Sequence, residues 1–210
     1  LHDMIKKTIK DHKRIIFNGN GYDATWIKEA TEVRGLCNYP TTPDCMPHLL
    51  DKKNVDMLTA HKVFSVAELE SRCEIMLENY CKAVTIEANT MIDMARKEIL
   101  PAVEGYVSEL VKTAAAKKAV APGIPCAYET GLIEKLSVLT DQIAAKTDEL
   151  EDALLKLKSI SDVKEESFAI RDTILGKMAA LRAVADEAET QTAEKYWPFP
   201  TYGELLFGVR

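Results

Sequence analysis

The apolar residues in the second half of the chain repeat with a period that a packed helix requires. Leu136, Ile143, Leu150 and Leu157 stand seven residues apart. Because seven residues make two helical turns, this spacing predicts a packing seam close to a coiled-coil heptad. After a short connection, apolar residues three or four apart mark a second face, namely Ile170, Ile174, Met178, Leu181, Ala185 and Ala188. Together the two faces predict an antiparallel helical hairpin over residues 126–196.

A second long helix is predicted over residues 65–118. Ser65 and Glu68 have the spacing of a capping box, which marks a helix start. Pro101 has no amide hydrogen and crowds the carbonyl four residues before it, so we expect a kink or break there. One helix face is predicted from residues three and four apart: Leu69, Arg72, Cys73, Met76, Leu77, Tyr80, Val84, Glu87, Met91, Met94 and Ala95.

Proline and glycine separate these helices from the rest of the chain. Residues 121–125 read Ala-Pro-Gly-Ile-Pro and predict a hinge. Pro198 and Pro200 impose an extended path on an aromatic tail at 197–210, whose rings and aliphatic side chains need a groove. That groove lies either on the same domain or on a neighbouring subunit.

The first 60 residues are predicted to form short helices and loops. A helix is expected over 2–13, followed by a turn with left-handed backbone at Asn18–Gly21. Asp23 is expected to cap a helix that Gly35 closes, and Asp51 one that ends near Ala60. The predicted fold class is therefore all-α: a proline-broken long helix plus a helical hairpin, with an irregular N-terminal segment and a docked aromatic tail.

Composition and charge exclude several classes of protein. Apolar residues make up 47% and charged residues 29% of the 210, and no apolar run approaches the roughly 18 residues of a membrane span. The net charge of −6 argues against a nucleic-acid-binding protein. Residues 126–196 carry all of the excess negative charge. The acidic hairpin face is either solvated or turned toward a partner. Leu1 is not a methionine, and no basic region followed by a short apolar run begins there, so we expect no secretory signal here and a chain that begins within a longer one.

Cysteine and histidine usage predicts no metal site. The five cysteines have no CxxC spacing, and no histidine forms a ligand-spaced cluster with a cysteine pair. An odd number of cysteines without such a pattern is typical of reduced, mostly buried thiols in a cytoplasmic protein. The cysteines are Cys37, Cys45, Cys73, Cys81 and Cys126, and the histidines are His2, His12, His48 and His61.

Three features of the sequence each allow two interpretations, one structural and one functional. The loop Asn18–Gly21 is either a plain tight turn or a turn beside a ligand, because glycine-rich loops can offer amides to phosphate. Glu87 falls on the predicted apolar face, so it is either paired with another element or a catalytic carboxylate. Met76, Met91 and Met94 form either core or an adaptable binding surface.

Four stretches of the chain together resemble the carboxy-terminal part of type III glutamine synthetase. They begin at His12, Arg34, Arg72 and Tyr196. They read His12-Lys13-Arg14-Ile15-Ile16-Phe17-Asn18-Gly19-Asn20-Gly21-Tyr22 with Trp26 and Glu29-Ala30; Arg34-Gly35-Leu36 with Asn38 and Thr41-Thr42-Pro43; Arg72-Cys73-Glu74-Ile75 with Asn79-Tyr80-Cys81-Lys82, Ile86-Glu87-Ala88, Thr90 to Ala95 and Ile99 to Val103; and Tyr196-Trp197-Pro198-Phe199-Pro200-Thr201-Tyr202-Gly203-Glu204-Leu205-Leu206-Phe207. In the acidic hairpin the resemblance is only compositional, and Leu175-Gly176-Lys177-Met178 departs from the proline-containing stretch of the family.

The resemblance implies a parent enzyme that joins ammonia to glutamate with ATP and a divalent metal, Mg²⁺ or Mn²⁺. Its metal-binding glutamates and nucleotide contacts belong upstream, so no catalytic, cofactor-binding or metal residue is assigned to this chain. The resemblance implies that residues 1–60 end the catalytic domain and that 61–210 form a helical extension. It also implies a cytoplasmic two-ring dodecamer, in which this chain contacts its own subunit and neighbouring ones, but neither nucleic acid nor membrane.

A different class of function is also compatible with the residues. A free-standing helical module with an acidic hairpin would bind a basic protein partner. The two hypotheses differ in what they require upstream of Leu1, since only an enzyme fragment requires a preceding catalytic domain.

Overall fold

The computed structural model describes residues 1–208, and within that range the chain forms helices and loops without any strand. The all-α prediction is confirmed. The α-helices of this range are α1 (His2–Asp11), α2 (Ala24–Lys28), α3 (Thr42–Cys45), α4 (Lys52–Ala60), α5 (Val66–Met94), α6 (Leu100–Val120), α7 (Ala127–Leu157), α8 (Val163–Ala169), α9 (Leu175–Gln191) and α10 (Tyr202–Phe207).

The capping box predicted at the start of α5 is present. The Ser65 hydroxyl accepts a hydrogen bond from the amide of Glu68 at 3.3 Å, and the Glu68 carboxylate accepts one from the Ser65 amide at 2.7 Å. These bonds satisfy amides that have no partner within the helix. They also hold the pKa of Glu68 below its ordinary value.

Pro101 does not break the long helix. The backbone runs from α5 through a π-helical turn, Ala95–Ile99, directly into α6. Pro101 lies in the first turn of α6, where the wider π-helical bonding just before it accommodates a residue that cannot donate. The expected kink or break is therefore a single π-helical turn in an otherwise continuous helical path.

The heptad seam on α7 forms the centre of the core. Leu136, Ile143 and Leu150 are completely buried, and Leu157 nearly so. On either side α7 packs most extensively against α6 and α9, and the predicted antiparallel hairpin of α7 with α8 and α9 is confirmed. The seam thus joins the long helix to the hairpin in one core.

The two arms of the hairpin meet at a capped turn. Asp162 accepts a hydrogen bond from the amide of Glu165 at 2.8 Å and caps the start of α8. A π-helical turn, Ile170–Ile174, leads into α9, which ends at Gln191. The hairpin stops before the predicted end at residue 196 because Thr192 leaves the helical conformation (φ −86°, ψ 135°).

A salt bridge spans the loop predicted as a hinge. Helix α6 ends at Val120 and α7 begins at Ala127, so residues 121–126 are not helical. The Lys117 ammonium donates to the Glu129 carboxylate across this loop, and Glu129 is only 5% exposed. This contact holds the pKa of the Glu129 carboxyl below its ordinary value. The pair therefore joins the end of the long helix to the start of the hairpin.

The N-terminal part contains the predicted short helices, with one capping interaction missing. Asp51 precedes α4 but does not cap it, since its carboxylate is bonded to His48 Nδ1 at 3.0 Å. An ion pair between Asp44 and Arg171 ties α3 to the hairpin. Segment 42–50 therefore packs on α5 and α8. We call the packed helices α5 to α9 the helical body.

No helix of residues 1–208 is both long enough and apolar enough to cross a membrane.

Truncating the centre of the seam should destabilise the whole fold. Ile143→Ala removes a completely buried side chain, so the free energy of unfolding should fall by about 2–5 kcal/mol. Urea denaturation followed by circular dichroism measures this change. Val138→Ala, at a position that is 55% exposed on the same helix, is the control and should change it by less than about 1 kcal/mol. Equal losses for the two variants would contradict the placement of the seam.

Candidate functional site: the tail clasp and the N-terminal loop cluster

Tyr196, the residue just before the aromatic tail, places its ring against a glycine of α6. A methyl group built on Gly105 would lie 3.4 Å from Cδ1 of Tyr196, so the glycine leaves room for the ring. The ring of Tyr196 also lies 5.4 Å from that of Tyr106. Glycine inside a helix costs about 1 kcal/mol relative to alanine, and here it makes space for the returning chain.

Charged groups fasten the same residue to α6. The Glu109 carboxylate accepts a hydrogen bond from the Lys195 ammonium at 2.8 Å and another from the Tyr196 hydroxyl. The bond from Lys195, followed by that from Tyr196, lowers the pKa of Glu109 from its ordinary 4.5. The same carboxylate raises the pKa of Tyr196. We call Glu109, Lys195 and Tyr196 the tail clasp.

Beyond the clasp, two rings lie over a groove between the long helix and α9. Trp197 and Phe199 meet edge to face at 6.2 Å and are half-buried against the core. The groove encloses about 350 Å³. Its apolar lining includes Met91, Met94 and Leu181, and Arg182, Asp186 and Glu189 form its edge. Of the two alternatives for the predicted tail, docking on the same chain is therefore the one found for Trp197 and Phe199.

The last described helix does not take part in this docking. Leu205, Leu206 and Phe207 of α10 are 65–82% exposed. A capping box between Thr201 and Glu204 starts α10.

A second cluster is organised by one arginine near the N-terminus. The Arg34 guanidinium donates to the backbone carbonyls of Arg14 at 3.2 Å and Ile16 at 2.8 Å. It also donates to Glu29 Oε1 at 2.7–2.9 Å and lies 4.8 Å from the centre of the Trp26 ring. One side chain therefore ties together three parts of a segment that has no buried residue of its own.

The Asn18–Gly21 loop lies beside this cluster as an ordinary turn. Neither Gly19 nor Gly21 has the left-handed backbone that we expected, and positive φ angles within residues 1–208 occur at Gly35 and Lys62. The Asn20 side chain instead accepts a hydrogen bond from the amide of Tyr22 at 3.1 Å. The chain turns by this side-chain bond, so the glycines need no special conformation.

Of the residues singled out on the long helix, Glu87 and Arg72 do not form a site. Both are exposed, because the buried stripe runs through Val84 and Ala88 and leaves position 87 outside it. Placing Glu87 on the apolar face was therefore wrong, and Arg72 lies over the Phe64 ring at 4.3 Å. The solvated carboxylate needs no partner.

The methionines divide between two environments. Met76 is 46% exposed, which contradicts the core alternative at this position, whereas Met91 and Met94 are half-buried in the groove under the tail. Three cysteines are buried as predicted, and Cys37 and Cys45 are exposed. Residues 1–208 bring together no group of three His, Cys, Asp or Glu side chains able to hold a metal ion.

Sequence reasoning missed three residues that organise these clusters. Glu109 bonds to residues more than 80 positions away, and Arg34 bonds to carbonyls 18 and 20 positions away, so the local pattern did not mark either residue. Gly105 did carry a signal, since a glycine inside a long helix indicates close approach of another group.

Comparison with known proteins agrees with the motifs. A family model described as the glutamine synthetase C-terminal domain matches residues 1–118. Glutamine synthetase of Butyrivibrio fibrisolvens is 38% identical over 208 residues, which are 99% of this chain and 30% of that protein. The type-3 glutamine synthetase of Dictyostelium discoideum is 30% identical, covering 97% of this chain and 28% of that protein.

A glutamine synthetase of Bacteroides fragilis is 28% identical over the same share of this chain. The chain thus spans about three tenths of the length of the curated relatives that it matches. These relatives match across the acidic hairpin as well, where the residues alone showed only a compositional likeness.

Removing the tail should destabilise the helical body. Deletion of residues 197–210 exposes the groove and removes the packing of Trp197 and Phe199. We expect the melting temperature to fall by about 4–8 °C, corresponding to a loss of about 2 kcal/mol. Scanning calorimetry measures the change, with Leu205→Gln in the exposed α10 as a control that should leave it unaltered. An unchanged melting temperature after the deletion would mean that the tail does not stabilise its own domain.

The clasp should open in acid. Because folding lowers the pKa of Glu109, its stabilising contribution is complete above the ordinary value of 4.5 and disappears as pH falls through the folded pKa. In a Trp26→Phe background, the fluorescence of Trp197 should shift to the red on acidification while the helical circular dichroism persists. Glu109→Gln should abolish the pH dependence. A transition of the same size in that variant would assign it to another group.

Proposed function

This chain belongs to the glutamine synthetase C-terminal domain family, and we propose that it acts as the carboxy-terminal helical domain of a type III glutamine synthetase. One observation carries the proposal: 97–99% of the chain matches glutamine synthetases, but only 28–30% of their length. The chain therefore corresponds to one part of these longer relatives.

In the proposed parent enzyme, ATP phosphorylates the side chain of glutamate and ammonia displaces the phosphate, with Mg²⁺ or Mn²⁺ offsetting the charge. Residues 1–208 offer no cluster of donors that fits such a metal. No step of the reaction is assigned to this chain, which we propose to be inactive on its own. Residues 1–60 would end the catalytic domain and 61–210 would form the extension.

The role of the extension would be to support assembly or control. The structure supports this because the chain forms a substantial core of its own, joined by the α7 seam, and yet leaves apolar side chains exposed at both ends. The assembly would be a cytoplasmic dodecamer of two rings. A free-standing module is less well supported, because the similarity to glutamine synthetases extends through the acidic hairpin.

The chain alone should not turn over ATP. With glutamate, ammonia, ATP and Mg²⁺ present, we expect phosphate release no faster than in a reaction without protein. A coupled phosphate assay measures the rate, and the intact Butyrivibrio fibrisolvens enzyme is the positive control. Release that depends on both glutamate and ammonia would overturn the proposal that the chain is inactive on its own.

A further inference from the structure

Exposed apolar side chains are concentrated at the start of the chain. Among the side chains that the structure describes, ten of 25 exposed large apolar residues fall within the first 40 positions. They are Leu1, Met4, Ile5, Ile9, Ile15, Ile16, Tyr22, Ile27, Val33 and Tyr39. Scattered apolar residues are normal on a surface, but such a density in one fifth of a chain marks a contact surface.

Helix α1 displays these residues as a continuous stripe. Leu1, Met4, Ile5 and Ile9 recur at the spacing of one helix face, and none of the residues of α1 is buried. Lys6 and Lys10 lie on the opposite face. An amphipathic helix of ten residues is marginal in water unless its apolar face is packed, so α1 requires a partner that the helical body does not provide.

The next apolar pair is held in place rather than free. Arg34 donates to the carbonyls of Arg14 and Ile16, which flank the exposed Ile15. Phe17 stacks on Trp26 with ring centres 3.8 Å apart and supports the same stretch. A surface fixed in advance loses less conformational entropy when a partner covers it.

The relatives indicate what the partner is. Each has about 70% of its length outside the part that this chain matches, and the match is to their C-terminal domain. We propose that the surface formed by α1 and residues 15–16, the α1 face, docks on the preceding catalytic part of the same glutamine synthetase subunit. This inference rests on the proposed function and adds the contact surface by which residues 1–60 would join the rest of the catalytic domain.

The test uses a chimera in which this chain replaces the matching part of the Butyrivibrio fibrisolvens enzyme. Amide hydrogen exchange of residues 2–16 should be at least about tenfold slower in the chimera than in the 210-residue chain alone. Ile5→Gln with Ile9→Gln should abolish that protection. The control, Lys6→Gln with Lys10→Gln, introduces two glutamines on the opposite face of the same helix and should preserve the protection.

Two outcomes separate this inference from the proposed function. A chimera that makes no glutamine but protects residues 2–16 would contradict the proposed function and support the docking. A chimera that makes glutamine while residues 2–16 exchange as fast as in the chain alone would overturn the docking.

Measurements on the chain alone provide a second test that does not require the chimera to fold. Ile5→Gln with Ile9→Gln should leave its melting temperature within about 1 °C, because the α1 face has no buried contact in this chain. A larger fall would show that the face packs within the chain and would overturn the proposal. So would a dimer in sedimentation velocity that this double variant dissociates, since the occupant would then be a second copy.

Discussion

The apolar seam of α7 is the constraint on which the rest of the structure depends. Its central residues are completely buried because the long helix covers one side and α9 the other. The long helix and α8 also pack directly on each other, so the seam is the most extensive of the contacts that join the two halves of the body. The Lys117–Glu129 pair and the Asp162 cap then fix how the three helical segments connect.

Much of this architecture could be predicted because it follows from local patterns. Heptad spacing identified the seam, capping residues identified the starts of α2 and α5, and proline marked the hinge. The errors arose where the backbone had alternatives that a residue pattern does not distinguish. Pro101 is accommodated by a π-helical turn, and Asn20 turns its loop through a side-chain bond instead of left-handed glycines.

The candidate sites were less predictable than the fold because they depend on contacts between distant residues. Glu87 had the correct spacing for burial but lies just outside the stripe, since the face of a long helix drifts along its length. The tail clasp joins Glu109 to Lys195 and Tyr196, more than 80 residues away. Only the packed structure brings such groups together.

The absence of buried residues from α1 has a consequence for how a longer polypeptide would be made. Synthesis proceeds from the amino terminus, and domains generally fold as units in that order. A preceding domain would already be folded when α1 leaves the ribosome, so its apolar stripe could be covered at once. The helical body has no such advantage, because the α7 seam stays half covered until α9 has been translated. The apolar stripe of α1 would therefore be exposed to aggregation and to chaperones only briefly. The α7 seam would be exposed to both for longer.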